Sequence, residues 1–363
     1  MGGASADTGP TGLTRVETAL LGAVVLVTVL AGIARYTSSV SRVIAFVLAT
    51  LALAGLAWIV ALATEQVGVR LGPAATGLMQ STVGNLPEFF VVIFALQAGQ
   101  IVVAETAILG SILVNALLVL GLVIVAGARR ESDGIMRFNP RLPNDTATLL
   151  LVSSFIIVLI GLSHSAGDTA SHHIKTISII GAVAILVVYA TWLRQYLTTA
   201  GSAGDTAAEP PRLSLVTAIT LLVIAGTTSA FVSDWFVNAL QPTIDTLHIS
   251  QAFAGLVIVA IAGNAVENVA GIVLAAKGRS DLAISVVKNS VAQIAAFLYP
   301  LLVLVSLLTA TTLTFSLAPV YIGALAATAV LVWQITGDGE ATVFEGVALV
   351  ATFVILATVA AFE

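Results

Sequence analysis

Two short segments of this chain, residues 84–88 and 263–267, share the pattern Gly-Asn-x-x-Glu within otherwise apolar sequence. Each segment places a glutamate, Glu88 or Glu267, near the middle of an apolar stretch. A charged side chain at bilayer depth costs about 3 kcal/mol on insertion scales, and those that are retained usually line an ion path or face a protein interior. The pair therefore predicts a cation site inside a membrane, with a neutral, hydrogen-bonded acid as the structural alternative for either glutamate.

The residues around the two glutamates offer oxygen ligands. Glycine and asparagine weaken a continuous helix, Pro87 removes a backbone N–H, and a broken helix exposes carbonyl oxygens that can join carboxylates around a cation. About six to eight oxygen ligands suit Ca²⁺, and the absence of cysteine argues against a site for softer metals. The predicted cation- and proton-binding residues are Gly84, Asn85, Glu88, Ser111, Asn115, Gly263, Asn264, Glu267, Asn289, Ser290 and Gln293.

Four of these residues also fit a purely structural role. Ser111 and Ser290 are small enough to serve close helix packing, and Asn115 and Gln293 could hydrogen-bond between helices. Two glutamates brought close together would in addition bind protons once the cation leaves, because neighbouring carboxylates do not both remain ionised. That competition predicts cation/proton exchange, with no cofactor besides the transported Ca²⁺ and H⁺.

The elements that must position these residues are membrane-spanning helices. Hydrophobic residues make up 58% of the 363 residues and charged residues 9%, whereas a soluble domain has about 25% charged residues. The lipid bilayer is therefore the expected partner of most of the chain. The absence of a basic patch and of a Walker A sequence argues against nucleic acid and nucleotide as partners.

We predict an all-α polytopic membrane protein that is not an enzyme, and we leave the formation of a homo-oligomer open. Its length accommodates about eleven transmembrane helices, each an apolar run of roughly twenty residues. These spans are predicted at residues 16–36, 43–64, 72–97, 101–127, 146–163, 174–197, 214–238, 250–276, 281–307, 314–335 and 343–362.

The basic residues between the predicted spans indicate the orientation of the chain. If the N-terminus is cytoplasmic, ten of the fourteen lysines and arginines fall on the cytoplasmic side, three fall outside, and Lys288 falls within a span. This bias follows the positive-inside rule and predicts a cytoplasmic N-terminus and an outside C-terminus. The alanine-rich, lysine-poor composition is typical of GC-rich prokaryotic coding, so we expect the cell (inner) membrane.

A shift of 179 residues brings the first motif onto the second and continues without a gap into the next helix, where Ser111 meets Ser290. The motifs lie on the third and eighth predicted spans, and this odd offset makes their helices cross the membrane in opposite directions. Inverted-topology repeats build many secondary transporters, with the binding site at the midplane between them. We therefore predict two inverted five-helix repeats plus an N-terminal helix. The divisions are a tail and first helix (1–42), a first repeat (43–197), a cytoplasmic linker (198–213) and a second repeat (214–363).

Longer stretches of the sequence resemble a known family. They are residues 64–66, 71–73, 81–88, 93–96, 109–113, 115–121, 231–234, 263–267 and 281–294. In these stretches, and over nearly the whole chain from about Val43 onward, the sequence resembles the cation/proton exchangers, the Ca²⁺/H⁺ antiporter branch of the calcium/cation antiporter superfamily. The resemblance implies export of Ca²⁺ from the cytoplasm against inward protons by alternating access, with the motif glutamates binding both ions in turn. It also implies that Glu65 and Asp234, toward the ends of the second and seventh spans, are gate or pathway carboxylates, with surface acids as the alternative.

The sequence departs from the family pattern at a few positions. Asn268 follows Glu267 where the family often has histidine, and Asn289 stands where glycine is usual. Lys288 is a cation within a site-bearing helix. At about 100° per residue it points away from the site, and we expect it to reach the cytoplasmic interface, with Asp281 or Glu267 as alternative partners. Na⁺/Ca²⁺ exchange, monovalent cation (Na⁺ or K⁺)/H⁺ exchange and a passive cation channel stay open as alternatives.

Overall fold

The computed structural model describes residues 12–37, 39–71, 83–200 and 211–363, apart from the side chains at positions 69, 71, 141, 142, 197, 199, 200, 266 and 267. We number its longer helices α1 to α12 and its strands β1 and β2. The helices are α1 Arg15–Tyr36, α2 Arg42–Leu71, α3 Leu86–Gln97, α4 Ile101–Ala128, α5 Arg141–Ala166, α6 Ile174–Ala200, α7 Leu215–Leu247, α8 Gln251–Gly263, α9 Ala265–Ala276, α10 Ser280–Leu308, α11 Pro319–Thr336 and α12 Val343–Ala361. The strands are β1 Ile135–Arg137 and β2 Glu340–Thr342.

The membrane-spanning character predicted from composition is confirmed. Within the described ranges, nine helices are long and apolar enough to cross a bilayer, and the bent pair α8–α9, with 60° between its halves, makes a tenth. The predicted third span, 72–97, is described only from residue 83, so the count of eleven stays a prediction. Capping boxes, in which Thr14 pairs with Glu17 and Thr342 with Glu345, fix the starts of α1 and α12.

Helix α4 lies at the centre of the bundle. In its most apolar window 83% of the residues are buried, against 6% for α1. Close packing of α4 on α8 depends on two glycines. A Cβ on Gly110 would lie 2.3 Å from the Leu256 carbonyl oxygen, and one on Gly255 would lie 2.0 Å from the Thr106 hydroxyl. These backbones therefore touch where a larger residue would force them apart.

Two features differ from the expectation drawn from apolar run lengths. Helix α7 continues to Leu247 instead of ending near residue 238, and Pro242 lies inside it without ending the helix. Strands β1 and β2, which that pattern did not predict, pair antiparallel with Met136 opposite Ala341. Both of these residues are buried, and Arg137 bridges Asp133 and Glu340 at the exposed edge. The hydrogen bond and charge of Arg137 lower the pKa of the Asp133 carboxyl.

The repeat of 179 residues is present in the backbone. Helix α3, 86–97, and helix α9, 265–276, have the same length and begin at equivalent positions. The turn after each contains a glycine with positive φ, Gly99 at 74° and Gly278 at 77°. In both repeats the following helix contains a π-helical segment at the corresponding place, Val114–Val119 in α4 and Ile294–Leu298 in α10.

The two repeats are inverted relative to each other. Helix α3 ends next to the start of α4, whereas α9 ends next to the far end of α4. There the Arg130 guanidinium donates to the Ala276 carbonyl at 3.0 Å and packs over Gly278. Because α4 crosses the bundle once between these points, α3 and α9 run in opposite directions. The inverted topology inferred from an odd number of spans is thus present in the structure.

Candidate cation-binding site

The Glu88 carboxylate lies where the two repeats meet. Ser111 Oγ donates to Glu88 Oε1 at 3.0 Å, and the Asn264 amide nitrogen donates to the same oxygen and to Ser111 Oγ at 3.0 Å. All three side chains are buried, with Glu88 9% exposed. Since Asn264 belongs to the second repeat, a carboxylate of one repeat is held by an amide of the other.

Asn115 extends this network to the other site-bearing helix, α10. Its amide nitrogen donates to Asn264 Oδ1 at 2.9 Å and to Ser290 Oγ at 3.3 Å. Asn115 lies in the π-helical segment of α4, and such segments often occur at functional sites. The structure therefore brings together Glu88, Ser111, Asn115, Asn264 and Ser290, five of the residues predicted to bind a cation.

Each motif breaks its helix at the asparagine. Asn85 and Asn264 have nearly equal dihedral angles, φ −92° and ψ 15° against φ −99° and ψ 12°, which lie outside the helical region. Glu88 and Glu267 are the third residues of α3 and α9, so both stand at helix N-termini, where the backbone N–H groups favour negative charge. The side chain of Glu267 lies outside the described part of the chain. Its predicted role as a ligand therefore stays a prediction.

A small cavity of about 20 Å³ adjoins the Glu88 carboxylate. Most of its lining is apolar, including Leu53 and Phe236, and Glu88, Ser111 and Gly263 also border it. A volume of about 10–15 Å³ holds one water molecule, so the cavity has room for no more than one species of that size. Gly263 is needed for this shape, because a Cβ there would lie 2.9 Å from Glu88 Cγ.

The other predicted ligands make no described hydrogen bond to this network. The Asn85 side chain is buried, and its amide nitrogen has no hydrogen-bond partner among the described residues. Gly84 occupies the turn before α3. Asn289 and Gln293 are half-buried on α10, and the Asn289 side-chain oxygen is likewise unpartnered in the described chain. These groups leave polar atoms available near the break in each repeat.

The two predicted pathway acids are on α2 and α7, and no described hydrogen bond joins either of them to Glu88. Glu65 is exposed near the end of α2. Asp234 is half-buried and accepts a hydrogen bond from Asn238 Nδ2 at 3.0 Å. The expectation that Asp234 lies near the end of its span is wrong, because α7 continues for thirteen residues beyond it to Leu247.

The expected position of Lys288 is also wrong. Its side chain is 2% exposed, so it does not extend to the protein surface. Its ammonium donates to Thr336 Oγ1 at 2.7 Å, while Asp281 accepts instead from the Asn139 backbone at 2.7 Å. Only the inference that Lys288 points away from the site agrees with this contact.

One acidic residue in a span was missed. Glu105 lies in the second turn of α4, half-buried. It lines a cavity of about 430 Å³ together with Gln251, Tyr321 and Glu363. A glutamate among apolar residues 101–109 is a visible signal in the sequence, but it has no counterpart at position 284 of the second repeat, where the residue is isoleucine. The internal repeat therefore gives no signal for Glu105.

Comparison with known proteins gives the family of the chain. A family model described as "Sodium/calcium exchanger protein" matches residues 41–194 and 217–362. The chain belongs to this family. Its relatives include the vacuolar calcium ion transporter of Schizosaccharomyces pombe, which is 33% identical over 321 residues, covering 86% of this chain and 77% of the relative. Another is the Ca²⁺/H⁺ antiporter of Aphanothece halophytica, 28% identical over 329 residues, covering 86% and 88%.

The exchanger fold is also found among solved structures. The structure of native YfkE superimposes with a TM-score of 0.78 at 26% identity, covering 95% of this chain and 99% of that one. The resemblance inferred from the motifs is therefore confirmed at the level of the family. As a member of the sodium/calcium exchanger family the chain is a membrane transporter and not an enzyme.

Proposed function

We propose that the protein is a secondary antiporter that exports Ca²⁺ from the cytoplasm in exchange for H⁺ at one site between the inverted repeats. The observation that carries the proposal is the contact of Glu88 in one repeat with Asn264 in the other, inside a buried oxygen-rich network. A site shared by two inverted halves can face either side of the membrane in turn. The printed functions of the two relatives, calcium transport and Ca²⁺/H⁺ antiport, support the choice of ions.

The network suggests how cation and proton compete. Asn264 directs its amide nitrogen at Glu88 and its oxygen at Asn115. A cation bound to Glu88 needs oxygen ligands, so Asn264 would have to turn its amide and break the bond to Asn115. Loss of the cation would let Asn264 donate to the carboxylate again, and a proton on either glutamate would lower the charge of the pair.

Contacts between loops support the proposed topology. Arg212, near the end of the predicted linker, forms an ion pair with Glu17 Oε1 at 2.9 Å, and the Arg70 guanidinium donates to the Leu213 carbonyl. The starts of α1 and α7 and the end of α2 therefore lie on one side of the bundle. Between Arg70 and Leu213 the chain must cross an even number of times, and α4, α5 and α6 supply three crossings, so these contacts favour an even number of spans there, as in the eleven spans predicted from the sequence. An odd total places the two termini on opposite sides, and the loop charges favour a cytoplasmic N-terminus.

The proposal is tested by measuring cation/proton exchange in everted membrane vesicles that have an acidic interior. A pH-sensitive dye inside the vesicles reports the loss of protons. Addition of Ca²⁺ should release protons from vesicles with the parent protein, and vesicles with a Glu88→Gln variant should not respond. Equal membrane insertion of the two proteins is checked by immunoblot.

Na⁺ and K⁺ are added in parallel to identify the cation. Proton release with Na⁺ or K⁺ and none with Ca²⁺ would replace the proposal by monovalent cation/proton exchange. Ca²⁺ movement that depends on Na⁺ and not on pH would indicate Na⁺/Ca²⁺ exchange. Ca²⁺ flux that moves no counter-ion would indicate a channel.

A further inference from the structure

Lys288 is buried within the bundle and makes no described contact with the network around Glu88. Its side chain is 2% exposed, and its single described partner, Thr336 Oγ1, is fully buried. No carboxylate of the described chain forms an ion pair with it. An ammonium group inside a membrane protein is costly unless it is compensated, and such residues are usually functional.

The compensation comes from the end of a helix. Helix α11 stops at Thr336, and the last carbonyl groups of a helix lack backbone partners and carry partial negative charge. Thr336 Oγ1, which accepts from Lys288, itself donates to the Val332 carbonyl at 2.7 Å. The Lys288 ammonium thus binds the C-terminal turn of α11 through one hydroxyl. We call this contact the Lys288–Thr336 pair.

The pair joins two parts of the structure with different roles. Lys288 is on α10, two residues before Ser290, whose hydroxyl accepts from Asn115 in the network around Glu88. Thr336 is on α11, which packs on α5 and supplies none of the described residues of that network. The pair therefore holds a site-bearing helix against a neighbouring helix from the face opposite the site.

Only one of the two repeats has such a pair. With the offset of 179 residues, Lys288 corresponds to Leu109 and Thr336 to Ile157, and both of these apolar residues are fully buried. In the first repeat, moreover, α5 continues beyond Ile157 to Ala166, so no helix ends there. The polar contact between α10 and α11 in the second repeat thus has no counterpart between the equivalent helices α4 and α5 of the first repeat.

We propose that Lys288 is a positioning residue which, through Thr336, favours one of the two access states of the exchanger. In transporters built from inverted repeats, the two access states differ by movement of one group of helices against another around the site. A contact made in only one half stabilises the state in which it is formed, and shifts the population toward that state. This inference rests on the proposed exchange of Ca²⁺ for H⁺.

The test exchanges the pair for its apolar counterpart from the first repeat, in the double variant Lys288→Leu/Thr336→Ile. Replacement of a buried polar pair by apolar residues of similar volume is often tolerated. The KM for Ca²⁺ is measured on each membrane face, in everted and in right-side-out vesicles. Apparent affinity scales with the fraction of the state that is open to that face. One KM should therefore rise and the other fall, with about a tenfold change in their ratio, as expected for loss of one charge-assisted hydrogen bond.

Matched variants separate positioning from loss of structure or charge. Lys277→Leu removes an exposed lysine of the same repeat and should leave both KM values unchanged. Lys288→Arg and Thr336→Ser retain a donor and a hydroxyl, and each should keep the parent ratio. If the double variant does not insert, Thr336→Ala removes the hydroxyl alone and should shift the ratio in the same direction.

An unchanged ratio in the double variant or in Thr336→Ala would overturn the proposal. So would an equal rise of both KM values, because that result indicates damage to the site without a change in access. If the parent protein itself shows no Ca²⁺-dependent proton movement, the proposed exchange fails. The positioning role is judged only against a parent that exchanges, so the two failures are distinguishable.

Discussion

Replacement of Glu88 by glutamine tests the site with little change of shape. A glutamine oxygen can still accept from Ser111 and Asn264, which now donate to Glu88 Oε1, so the packing of α3 should persist while the charge is lost. A divalent ion and a carboxylate about 2.4 Å apart attract each other by ~3 kcal/mol even at the dielectric constant of water. The low dielectric of a buried site makes this attraction larger. The apparent affinity for Ca²⁺ should therefore fall more than about 100-fold.

The measurement is Ca²⁺-dependent proton release from proteoliposomes that contain equal amounts of parent or variant protein, over a wide range of Ca²⁺ concentration. Glu131→Gln is a suitable control, because Glu131 is an exposed acid in the turn after α4 and has no part in the predicted site or pathway. A Glu88→Gln variant with the KM and maximal rate of the parent would refute the reasoning. Thermal unfolding in detergent shows whether the variant is folded like the parent. If Glu88→Gln does not fold, Glu88→Asp is tested in its place, because the shorter carboxylate should retain partial exchange.

Three further changes test the arrangement around Glu88. Glu267→Gln should also abolish coupled exchange, since inverted symmetry gives it the position of Glu88, and parent-like transport would show that the site uses one glutamate only. Asn115→Leu should lower the KM for Ca²⁺ about fivefold in the vesicle assay, because the bond from Asn115 to the Asn264 oxygen, which holds the amide in the cation-free arrangement, contributes about 1 kcal/mol. An unchanged KM would show that Asn115 is only structural. Gly110→Ala should lower the midpoint of thermal unfolding, because its Cβ would lie 2.3 Å from a backbone oxygen and overpacking costs about 1–3 kcal/mol. The control is Gly22→Ala, whose Cβ would meet no atom within 4 Å and which should not lower the midpoint.

The repeat and its main site residues could be predicted because membrane proteins constrain their sequences strongly. A carboxylate in an apolar span is rare enough to be noticed, and its recurrence at a fixed offset, at Glu88 and Glu267, identified the repeat. Gly99 and Gly278 preserve the same turn in both halves, with positive φ that glycine adopts readily. Ser111 and Ser290 follow at the same offset, and the structure places both in the network that includes Glu88.

Features that depend on tertiary contact could not be predicted in this way. Burial of Lys288 is decided by where α11 ends, and Thr336 lies 48 residues further along the chain. Strands β1 and β2 are three residues long and pair across about two hundred residues, too short for an alternating pattern to be recognised. Glu105 has no partner in the repeat, so a search for symmetry overlooked a half-buried acid that lines a cavity.

The hydrogen bonds of Asn264 give a physical reason for the proposed competition of the two ions at one site. Its amide nitrogen contacts the Glu88 carboxylate, and its amide oxygen contacts Asn115. The first arrangement satisfies a carboxylate with donors, whereas a bound cation requires the oxygen to face inward. These requirements exclude each other, because a planar amide presents either its nitrogen or its oxygen to a given neighbour. Since Asn264 and Glu88 belong to different repeats, any movement of one repeat against the other changes this contact directly. Exchange of the ions and exchange of access would then be coupled through the same amide.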